Sequence, residues 1–344
     1  MLVDIRENVS LSDYSTMRLG GKSRYLGEAH TDRDIVDLLQ WSKQKKVPYI
    51  VVGQGSNIVW RDEGFAGLII VNRIRGREVI SEDESGATMR LASGENWDDA
   101  VAWVVKQSWS GLEFLSKIPG TVGAAPVQNI GAYGHELSEV LVEVEAYDTE
   151  SEAFGGIAAA ACEFGYRTSR FKTTDKGRFI ITGISLRLSK EQPQPPFYES
   201  LQSYFDEHSI TSYTRETIRD AVTAIRAVKL PDPSRVKNNG SFFINPIVDK
   251  SKFERVKHRY PDIKAWPMSD GRIKLSAGWM VERAGLKNMH DKQTGMATWK
   301  GSALVVVNER AKKTADLLKF KKKIIDQVQA MFGITIEQEP ELLP

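Results

Sequence analysis

The sequence predicts an α+β protein built of two or three domains, and three observations indicate it. The 344 residues exceed what one hydrophobic core usually accommodates. Short apolar runs typical of strands are interspersed with longer stretches in which apolar residues recur at helical spacing. Proline-rich breaks at 190–196 and 229–233 cannot continue a helix or a strand, and the second is typical of a domain junction.

Helical periodicity is clearest in the first predicted helix, where Ile35, Leu38 and Leu39 share one face. Helices are expected at 33–46, from 95 to near Gly111, at 214–228, around 276–285 and from about 314 to 331. Strands are expected at 49–52, 68–71, 87–92, 140–147, 178–188, 303–307 and 334–336.

Composition excludes several classes of protein. A net charge of +2 argues against a dedicated nucleic-acid binder. The single cysteine, Cys162, excludes intrachain disulfides and multi-thiolate metal sites, and the five histidines lack metal-ligand spacing. The start of the chain has acids where a signal peptide would be basic and apolar, and no apolar run approaches membrane length. We therefore expect a cytoplasmic protein without metal, nucleic-acid or membrane partners.

The most informative segment is Gly53-Gln54-Gly55-Ser56-Asn57, which directly follows the apolar run 49–52. A strand that ends in a glycine turn exposes consecutive backbone N–H groups, which can bind phosphate oxygens. A second small-residue patch at 118–134 is too rich in glycine for a core strand and too apolar for a surface loop. The two patches together predict a large ligand laid against the backbone.

Three common motifs are absent. Ile58 stands where a dinucleotide fingerprint has its third glycine. Gly20-Gly21-Lys22-Ser23 resembles the end of a P-loop, but Thr16 replaces the first glycine. No G-x-S-x-G elbow is present, which argues against a hydrolase.

Six motifs occur in order along most of the chain and together resemble one family. They are Gly53-Gln-Gly-Ser-Asn57, Ile118-Pro-Gly-Thr-Val-Gly123, Gln128-Asn-Ile-Gly-Ala-Tyr-Gly134, Phe164-Gly-Tyr-Arg167, Lys229-Leu-Pro-Asp-Pro233 and Gly240-Ser-Phe-Phe-Ile-Asn-Pro246. The chain is identified as similar to the flavin-dependent UDP-N-acetylenolpyruvoylglucosamine reductases of peptidoglycan synthesis. Tyr198 after Pro196-Phe197 resembles the loop tyrosine of the type I members.

The resemblance implies the FAD-binding fold of the vanillyl-alcohol oxidase (PCMH) type in two subdomains, plus a separate α/β substrate domain. It places the first subdomain at 1–75, completed by 332–344, the second at 76–228 and the substrate domain at 229–331. It also implies non-covalent FAD, NADPH as reductant and UDP-N-acetylglucosamine enolpyruvate as substrate, reduced to UDP-N-acetylmuramate. A monomer is expected.

Catalysis in this family needs a proton donor and groups that stabilise an enolate-like carboxylate. The resemblance assigns the proton to Ser241, and stabilisation of the intermediate to Arg167 and a terminal acid. That acid is Glu341, which matches the family's C-terminal glutamate better than Glu339, the second candidate. The chain departs from the family here, since Leu342-Leu343-Pro344 replaces the usual continuation of the motif.

The resemblance also implies binding residues. Substrate contacts are expected from Tyr166, Tyr198, Lys229 and Asn245, whereas Ser302 replaces the glutamine that type I members often have. FAD contacts are expected from Gly53, Gln54, Gly55, Ser56, Asn57, Ile118, Pro119, Gly120, Gly123, Ala124, Asn129, Gly131, Ala132, Tyr133 and Gly134.

Two other hypotheses remain open from the sequence. One is another flavin oxidase on the same scaffold, which would often attach its flavin through histidine or cysteine; His135 is the histidine beside a glycine patch. The other is an inactive UDP-sugar-binding relative, which the shortened terminus and Ser302 allow.

Overall fold

The computed structural model describes residues 4–344 and divides the chain into two compact units. Unit 1 comprises residues 4–9, Ser23–Gln54 and Ala66–Ala227. Unit 2 comprises Ser10–Lys22, Gly55–Phe65 and Val228–Pro344. Each unit is therefore assembled from three separate stretches of sequence.

Unit 1 carries a four-stranded sheet in the order β1-β2-β5-β3. Its strands are β1 (Ile5–Ser10), β2 (Lys22–Ala29), β3 (Tyr49–Val52) and β5 (Phe65–Asn72). Helix α1 (Asp32–Lys45) begins at a capping box between Thr31 and Asp34 and ends where Lys46 turns left-handed at φ +56°. The parallel pairing of Val52 with Val71 fixes where β3 ends, directly before the glycine turn.

A second, antiparallel sheet in unit 1 has the order β11-β10-β12-β7-β6. Its strands are β6 (Arg77–Glu82), β7 (Gly86–Ala92), β10 (Leu141–Asp148), β11 (Ala153–Ala158) and β12 (Phe179–Ser189). Helix α2 (Trp97–Lys106), capped by Asn96, buries Trp97, Val101 and Val104 in a core shared with this sheet. A two-residue hairpin, β8 (Gly131–Ala132) and β9 (His135–Glu136), completes the strands of unit 1.

Two helices, α3 (Glu199–Glu207) and α4 (Arg215–Lys229), form a smaller cluster in unit 1. Phe205, Ile218 and Val222 are fully buried there, which is the inward face that the periodicity of 214–228 predicts. Tyr133 and Phe197 pack against this cluster.

Unit 2 contains three small sheets, ordered β13-β19-β18-β17, β14-β16-β15 and β20-β4. The strands are β4 (Ile58–Trp60), β13 (Asn238–Ser241), β14 (Ile247–Val248), β15 (Ala265–Pro267), β16 (Ile273–Leu275), β17 (His290–Asp291), β18 (Met296–Thr298), β19 (Val305–Asn308) and β20 (Glu341–Leu343). Helices α5 (Lys250–Arg259), α6 (Ala277–Arg283) and α7 (Thr314–Phe332) pack around one large apolar core that includes Phe242, Phe320 and Ile324.

One predicted strand is wrong. Residues 334–336 have no strand partner along their length, although Ile334 and Ile336 are buried in the core of unit 2. The alternation of apolar residues there reflects burial of an irregular segment. The terminal strand is instead Glu341–Leu343, which pairs in parallel with Ile58–Trp60.

The boundaries of the two compact units differ from those of the predicted domains. The stretch 1–75 contributes to both units, because 10–22 and 55–65 belong to unit 2. Residues 332–344 do join a segment of that stretch, but the segment they pair with, Ile58–Trp60, lies in unit 2. A boundary between the compact units falls between Ala227 and Val228, whereas the predicted domains meet between 228 and 229 and stay a prediction.

Within residues 4–344, none of the helices combines the length and apolarity that crossing a bilayer requires. The same residues contain no group of three or more histidine, cysteine or acidic side chains arranged to hold a metal ion.

Candidate functional site

The turn that follows β3 can carry no side chains at Gly53 and Gly55. Gly55 has φ +74°, and a Cβ added to it would collide with the backbone carbonyl of Tyr14. A Cβ on Gly53 would collide with Oγ1 of Thr121. Glycine is therefore required at both positions by the protein's own packing.

The backbone N–H groups of this turn are available to a ligand. Among residues 4–344, no hydrogen bond to another protein group is found for the N–H of Gly53, Gln54 or Gly55. The carbonyl of Gly55, in contrast, accepts from the N–H of Thr16 at 3.0 Å. A row of unengaged amides at the end of a parallel strand is suited to phosphate oxygens, so these residues fit the pyrophosphate of FAD.

The first half of the second patch is built differently. The N–H groups of Val122 and Gly123 donate to the carbonyls of Glu95 and Ser93 at 2.9 and 2.8 Å. A Cβ on Gly123 would lie 2.6 Å from the Cβ of Ser93. Glycine is required here for close packing, so the predicted FAD contacts of Gly123 and Ala124 would have to be made by atoms other than these engaged amides. The contacts of Ile118, Pro119 and Gly120 stay predictions.

The second half of that patch forms the hairpin β8–β9. Both central residues have positive φ, +52° at Tyr133 and +88° at Gly134, as in a type I′ turn. Tyrosine is unusual at the first of these positions, and the strain is of order 1 kcal/mol or more. The turn thus holds the Tyr133 ring in a fixed place at the tip of a short hairpin.

A second tight turn presents Arg167 beside that hairpin. Gly165 and Thr168 exchange both backbone hydrogen bonds, at 3.1 and 3.2 Å, with Tyr166 and Arg167 between them. Arg167 has φ +56°, and its guanidinium donates to the carbonyl of Gly131 at 2.8 Å and lies 5.3 Å from the centre of the Tyr166 ring. The predicted catalytic arginine is therefore oriented by the predicted flavin-binding hairpin.

The side chain of Asn129 connects the hairpin β8–β9, through Glu136, to the turn at 165–168 that carries Arg167. Asn129 is fully buried, and its Nδ2 donates to Oε2 of Glu136 at 2.6 Å and to the carbonyl of Gly165 at 3.4 Å. Its Oδ1 accepts from the N–H of Ser138 at 3.0 Å. Because its side chain is used internally, the FAD contact predicted for Asn129 would have to come from its backbone. Glu136 was missed by sequence reasoning, which gives no signal for a partner seven residues away.

Tyr198 belongs to the same group of residues in unit 1. Its ring meets that of Tyr133 edge-on, with centroids 6.2 Å apart. Burial raises the pKa of both phenols, so both remain protonated donors at neutral pH. Tyr198 immediately precedes helix α3, and the residue is still 40% exposed.

In unit 2, Ser241 follows a bulge. Asn238 pairs with Val307, and Ser241 pairs with Val305. Between these two pairs, β13 therefore contains one more residue than β19. Gly240, at φ +69°, takes up the extra residue. Bulges re-aim the side chains that follow them and are frequent beside active sites. The predicted proton donor thus occupies a position where the strand changes direction.

Asn239, beside this serine, ties β13 to the glycine turn. Its Nδ2 donates to Oγ1 of Thr16 at 3.1 Å and to the carbonyls of Ser56 and Ile58 at 3.0 and 3.2 Å. Sequence analysis missed Asn239, because nothing local indicates that it contacts residues 181 to 223 positions away.

The two candidate acids lie on the terminal segment of unit 2. The N–H of Glu341 donates to the carbonyl of Asn57 at 2.9 Å, so this residue is attached to the glycine turn. The N–H of Glu339 donates to the carbonyl of Phe242 at 2.9 Å, one residue after Ser241. The choice of Glu341 over Glu339 stays a prediction.

The remaining predicted substrate residues have identifiable local roles. Lys229 is exposed at the end of α4, where the loop at Gly301 packs against its carbonyl. Ser302 therefore lies in a loop that touches this helix end. Asn245 accepts the N–H of Ala277 through Oδ1 at 2.9 Å, which supports the start of α6, and the substrate contact of this residue stays a prediction.

Comparison with known families defines the class first. Residues 24–154 match a family model described as an FAD binding domain. Residues 232–343 match a model described as the C-terminal domain of UDP-N-acetylenolpyruvoylglucosamine reductase. With the amide-rich turn after β3, this defines the class as an FAD-binding oxidoreductase of α+β fold, and the predicted fold class is confirmed.

Curated relatives give the family. The chain is 39% identical over 338 residues to the UDP-N-acetylenolpyruvoylglucosamine reductase of Alcanivorax borkumensis, covering 98% of this chain and 96% of that one. It is 35% identical to that of Pseudomonas aeruginosa, covering 99% and 100%. The chain belongs to the UDP-N-acetylenolpyruvoylglucosamine reductase family, as its motifs predict.

A solved structure agrees at the level of the fold. The crystal structure of the reductase from Thermus caldophilus matches with a TM-score of 0.66 at 24% identity, covering 99% of this chain and all of that one.

Proposed function

We propose that this protein reduces the enolpyruvyl double bond of UDP-N-acetylglucosamine enolpyruvate, giving UDP-N-acetylmuramate, with NADPH as the reductant. The observation that carries the proposal is similarity to reductases of this name over 98% of the chain. The family's function supports a role in peptidoglycan precursor synthesis. The monomeric state and the cytoplasmic location stay predictions.

When bound, FAD would take a hydride from NADPH and deliver it from N5 to the vinyl carbon remote from the substrate carboxylate. The turn at 53–55 fits its pyrophosphate, because its amides are unengaged within residues 4–344 and its glycines admit no side chain.

Arg167 would stabilise the carboxylate on which negative charge develops. A guanidinium keeps its proton and can bind a carboxylate with two hydrogen bonds. Its hydrogen bond to the carbonyl of Gly131 restricts the orientation of the side chain before substrate arrives, which reduces the reorganisation needed during the reaction.

Ser241 would deliver the proton to the substrate carbon next to the one that receives the hydride. Glu341, in its protonated form, would stabilise the negative charge that develops on the substrate carboxylate. Serine is a weak acid in water, so the proposal requires that a neighbouring cation or carboxyl group polarise its hydroxyl. Tyr198, Lys229 and Asn245 would bind the substrate diphosphate.

A covalent flavin oxidase finds little support in the side chains that such enzymes use. Cys162 is fully buried, and burial raises the pKa of its thiol to about 11, so it stays a poor nucleophile. The His135 ring stacks on Phe114 with centroids 4.0 Å apart, and its Nδ1 lies 2.8 Å from Oε2 of Glu139.

The test is a Ser241→Ala variant followed in two separate half-reactions. We expect NADPH to bleach the flavin at the normal rate, whereas product formation falls by roughly 10²- to 10⁴-fold, the usual contribution of a proton donor. Ser269→Ala, at an exposed serine of the same unit, is the matched control and should leave both steps unchanged. Normal turnover by Ser241→Ala would show that the proton comes from elsewhere.

The alternatives are separated by two further measurements on the wild-type protein. Acid precipitation should release the flavin into the supernatant, and flavin that stays with the pellet would indicate an oxidase. Binding of the UDP-sugar without any consumption of NADPH would indicate an inactive relative.

A further inference from the structure

Glu136, on strand β9, is an acidic side chain of the candidate site to which the proposed reaction gives no role. It lies directly opposite Gly131 across the hairpin β8–β9 and is half-buried. Its Oε2 accepts a hydrogen bond from Nδ2 of Asn129 at 2.6 Å, and its side chain also accepts the backbone N–H of Glu139. Hydrogen bonds to a carboxylate are short and strong, so Glu136 is held in place by groups of its own unit.

Asn129 carries this constraint to the turn at 165–168. Its Nδ2 donates to the carbonyl of Gly165 at 3.4 Å as well as to Glu136, and the same carbonyl accepts the N–H of Thr168 at 3.2 Å. The side chain of Asn129 is fully buried, and its Oδ1 is fixed by the N–H of Ser138 at 3.0 Å. Without the Glu136 carboxylate, a buried amide N–H would lose its acceptor, and the side chain that supports the turn would have to move.

Arg167 is constrained both by that turn and by the hairpin. It lies in the turn at φ +56°, and its Nη2 donates to the carbonyl of Gly131 at 2.8 Å. A Cβ added to Gly131 would lie 2.9 Å from Cγ of Glu136 and 3.2 Å from Nη1 of Arg167. The two side chains therefore flank the same face of Gly131, and Glu136 limits where the guanidinium can lie.

We propose that Glu136 is a positioning residue for Arg167. Through Asn129 it holds the turn that carries this arginine, and across the hairpin it restricts the side on which the guanidinium lies. This inference rests on the proposed function, which gives Arg167 its role at the substrate carboxylate. A cation that is oriented before charge develops needs no reorganisation during the reaction, so the contribution of Glu136 belongs to the step in which the substrate is reduced.

The test is a double-mutant cycle of Glu136→Ala and Arg167→Ala, with the two half-reactions followed separately. We expect Glu136→Ala to slow reoxidation of the reduced flavin by the enolpyruvyl substrate by roughly 10- to 100-fold, as for a catalytic group displaced by a fraction of an ångström to one ångström. Reduction of the flavin by NADPH should keep its normal rate. In the Arg167→Ala background, Glu136→Ala should slow reoxidation no further, because no guanidinium is left to position.

A conservative variant separates positioning from a structural role. Glu136→Gln keeps one oxygen for two N–H donors, so it should restore most of the rate lost in Glu136→Ala and remain about 3- to 10-fold below the wild type. Glu84→Ala, at an exposed glutamate of the same unit, is the matched control and should leave both half-reactions unchanged.

Two outcomes of the cycle would overturn the inference. One is an equal slowing by Glu136→Ala whether Arg167 is present or absent, and the other is an equal slowing of both half-reactions. If Glu136→Ala does not fold, Glu136→Gln takes its place in the cycle, and a wild-type rate or an uncoupled loss would equally overturn the inference.

Binding of UDP-N-acetylmuramate to the four oxidised holoproteins, measured by calorimetry, separates this inference from the proposed function. If the wild type binds this ligand but does not reduce the enolpyruvyl substrate, the function is refuted. A loss of affinity on Glu136→Ala that requires Arg167 would then leave the positioning role standing, and an equal loss in both backgrounds would remove it. A wild type that neither turns over nor binds this ligand would refute both.

Discussion

The two glycine-rich segments of this chain resemble each other in sequence and differ in structure. In the turn at 53–55, the backbone N–H groups have no acceptor among residues 4–344, although glycine is required there by a neighbouring carbonyl and a threonine. At 122–124 the N–H groups donate hydrogen bonds to backbone carbonyls of the same unit. Glycine therefore has two uses here, to expose amides and to permit close packing, and composition does not distinguish them.

The largest effect is expected from Gly55→Ala. A side chain would be placed at φ +74° and against the carbonyl of Tyr14, and the combined strain and overlap should cost roughly 3 kcal/mol or more. The variant should also lose FAD, because the amides would be displaced. Urea unfolding and the flavin absorption of the purified protein measure the two effects. Normal stability with full flavin content would mean that position 55 tolerates a side chain.

Gly123→Ala should have a smaller effect of another kind. Its Cβ would lie 2.6 Å from the Cβ of Ser93, and this overpacking should destabilise the fold by about 2 kcal/mol. Because the Gly123 amide already donates to Ser93, the folded variant should bind FAD with unchanged affinity. Flavin titration of the folded protein measures this. Weakened binding at normal stability would place a ligand contact at Gly123 and remove the contrast between the two segments.

The smallest effect is expected from Asp98, whose carboxylate accepts the N–H of Lys117 just before the second glycine-rich segment. Burial alone would raise the pKa of Asp98, but hydrogen bonds from Arg219 and Lys117 hold it at about 2. A carboxyl whose pKa is lowered by folding stabilises the protein above its unfolded pKa, near 3.9, and this contribution is lost as the pH falls toward 2.

The Asp98→Asn variant should therefore be less stable than the wild type at neutral pH, by on the order of 1 kcal/mol after allowance for solvent screening. The difference should be constant above about pH 5 and shrink between about pH 4 and pH 2. Urea unfolding over a pH series measures it, with Asp326→Asn, at an exposed ion pair, as the control. A difference that does not change with pH would show that the carboxylate's charge is not responsible.

Local sequence was sufficient where one segment carries a complete pattern. The helix predicted at 33–46 is Asp32–Lys45, and the strand predicted at 49–52 is Tyr49–Val52. Helix α5 was missed because ten residues with five lysines and arginines contain only two apolar side chains, Phe253 and Val256, and give little periodicity. Strand β2 was missed because its burial follows neighbouring strands rather than a strict alternation.

The order of the six motifs along the chain was enough to predict the family, the α+β class and the flavin cofactor. Each motif is encoded over a few consecutive positions, so it can be recognised without the tertiary structure. The internal partners of the site were decided by tertiary structure: the carbonyl of Gly131 that orients Arg167, and the hydrogen bonds of Asn239. Those properties depend on which groups meet after folding, across separations of 36 to 223 residues. A local pattern cannot state whether a buried polar atom will find an acceptor, since that acceptor belongs to another part of the chain.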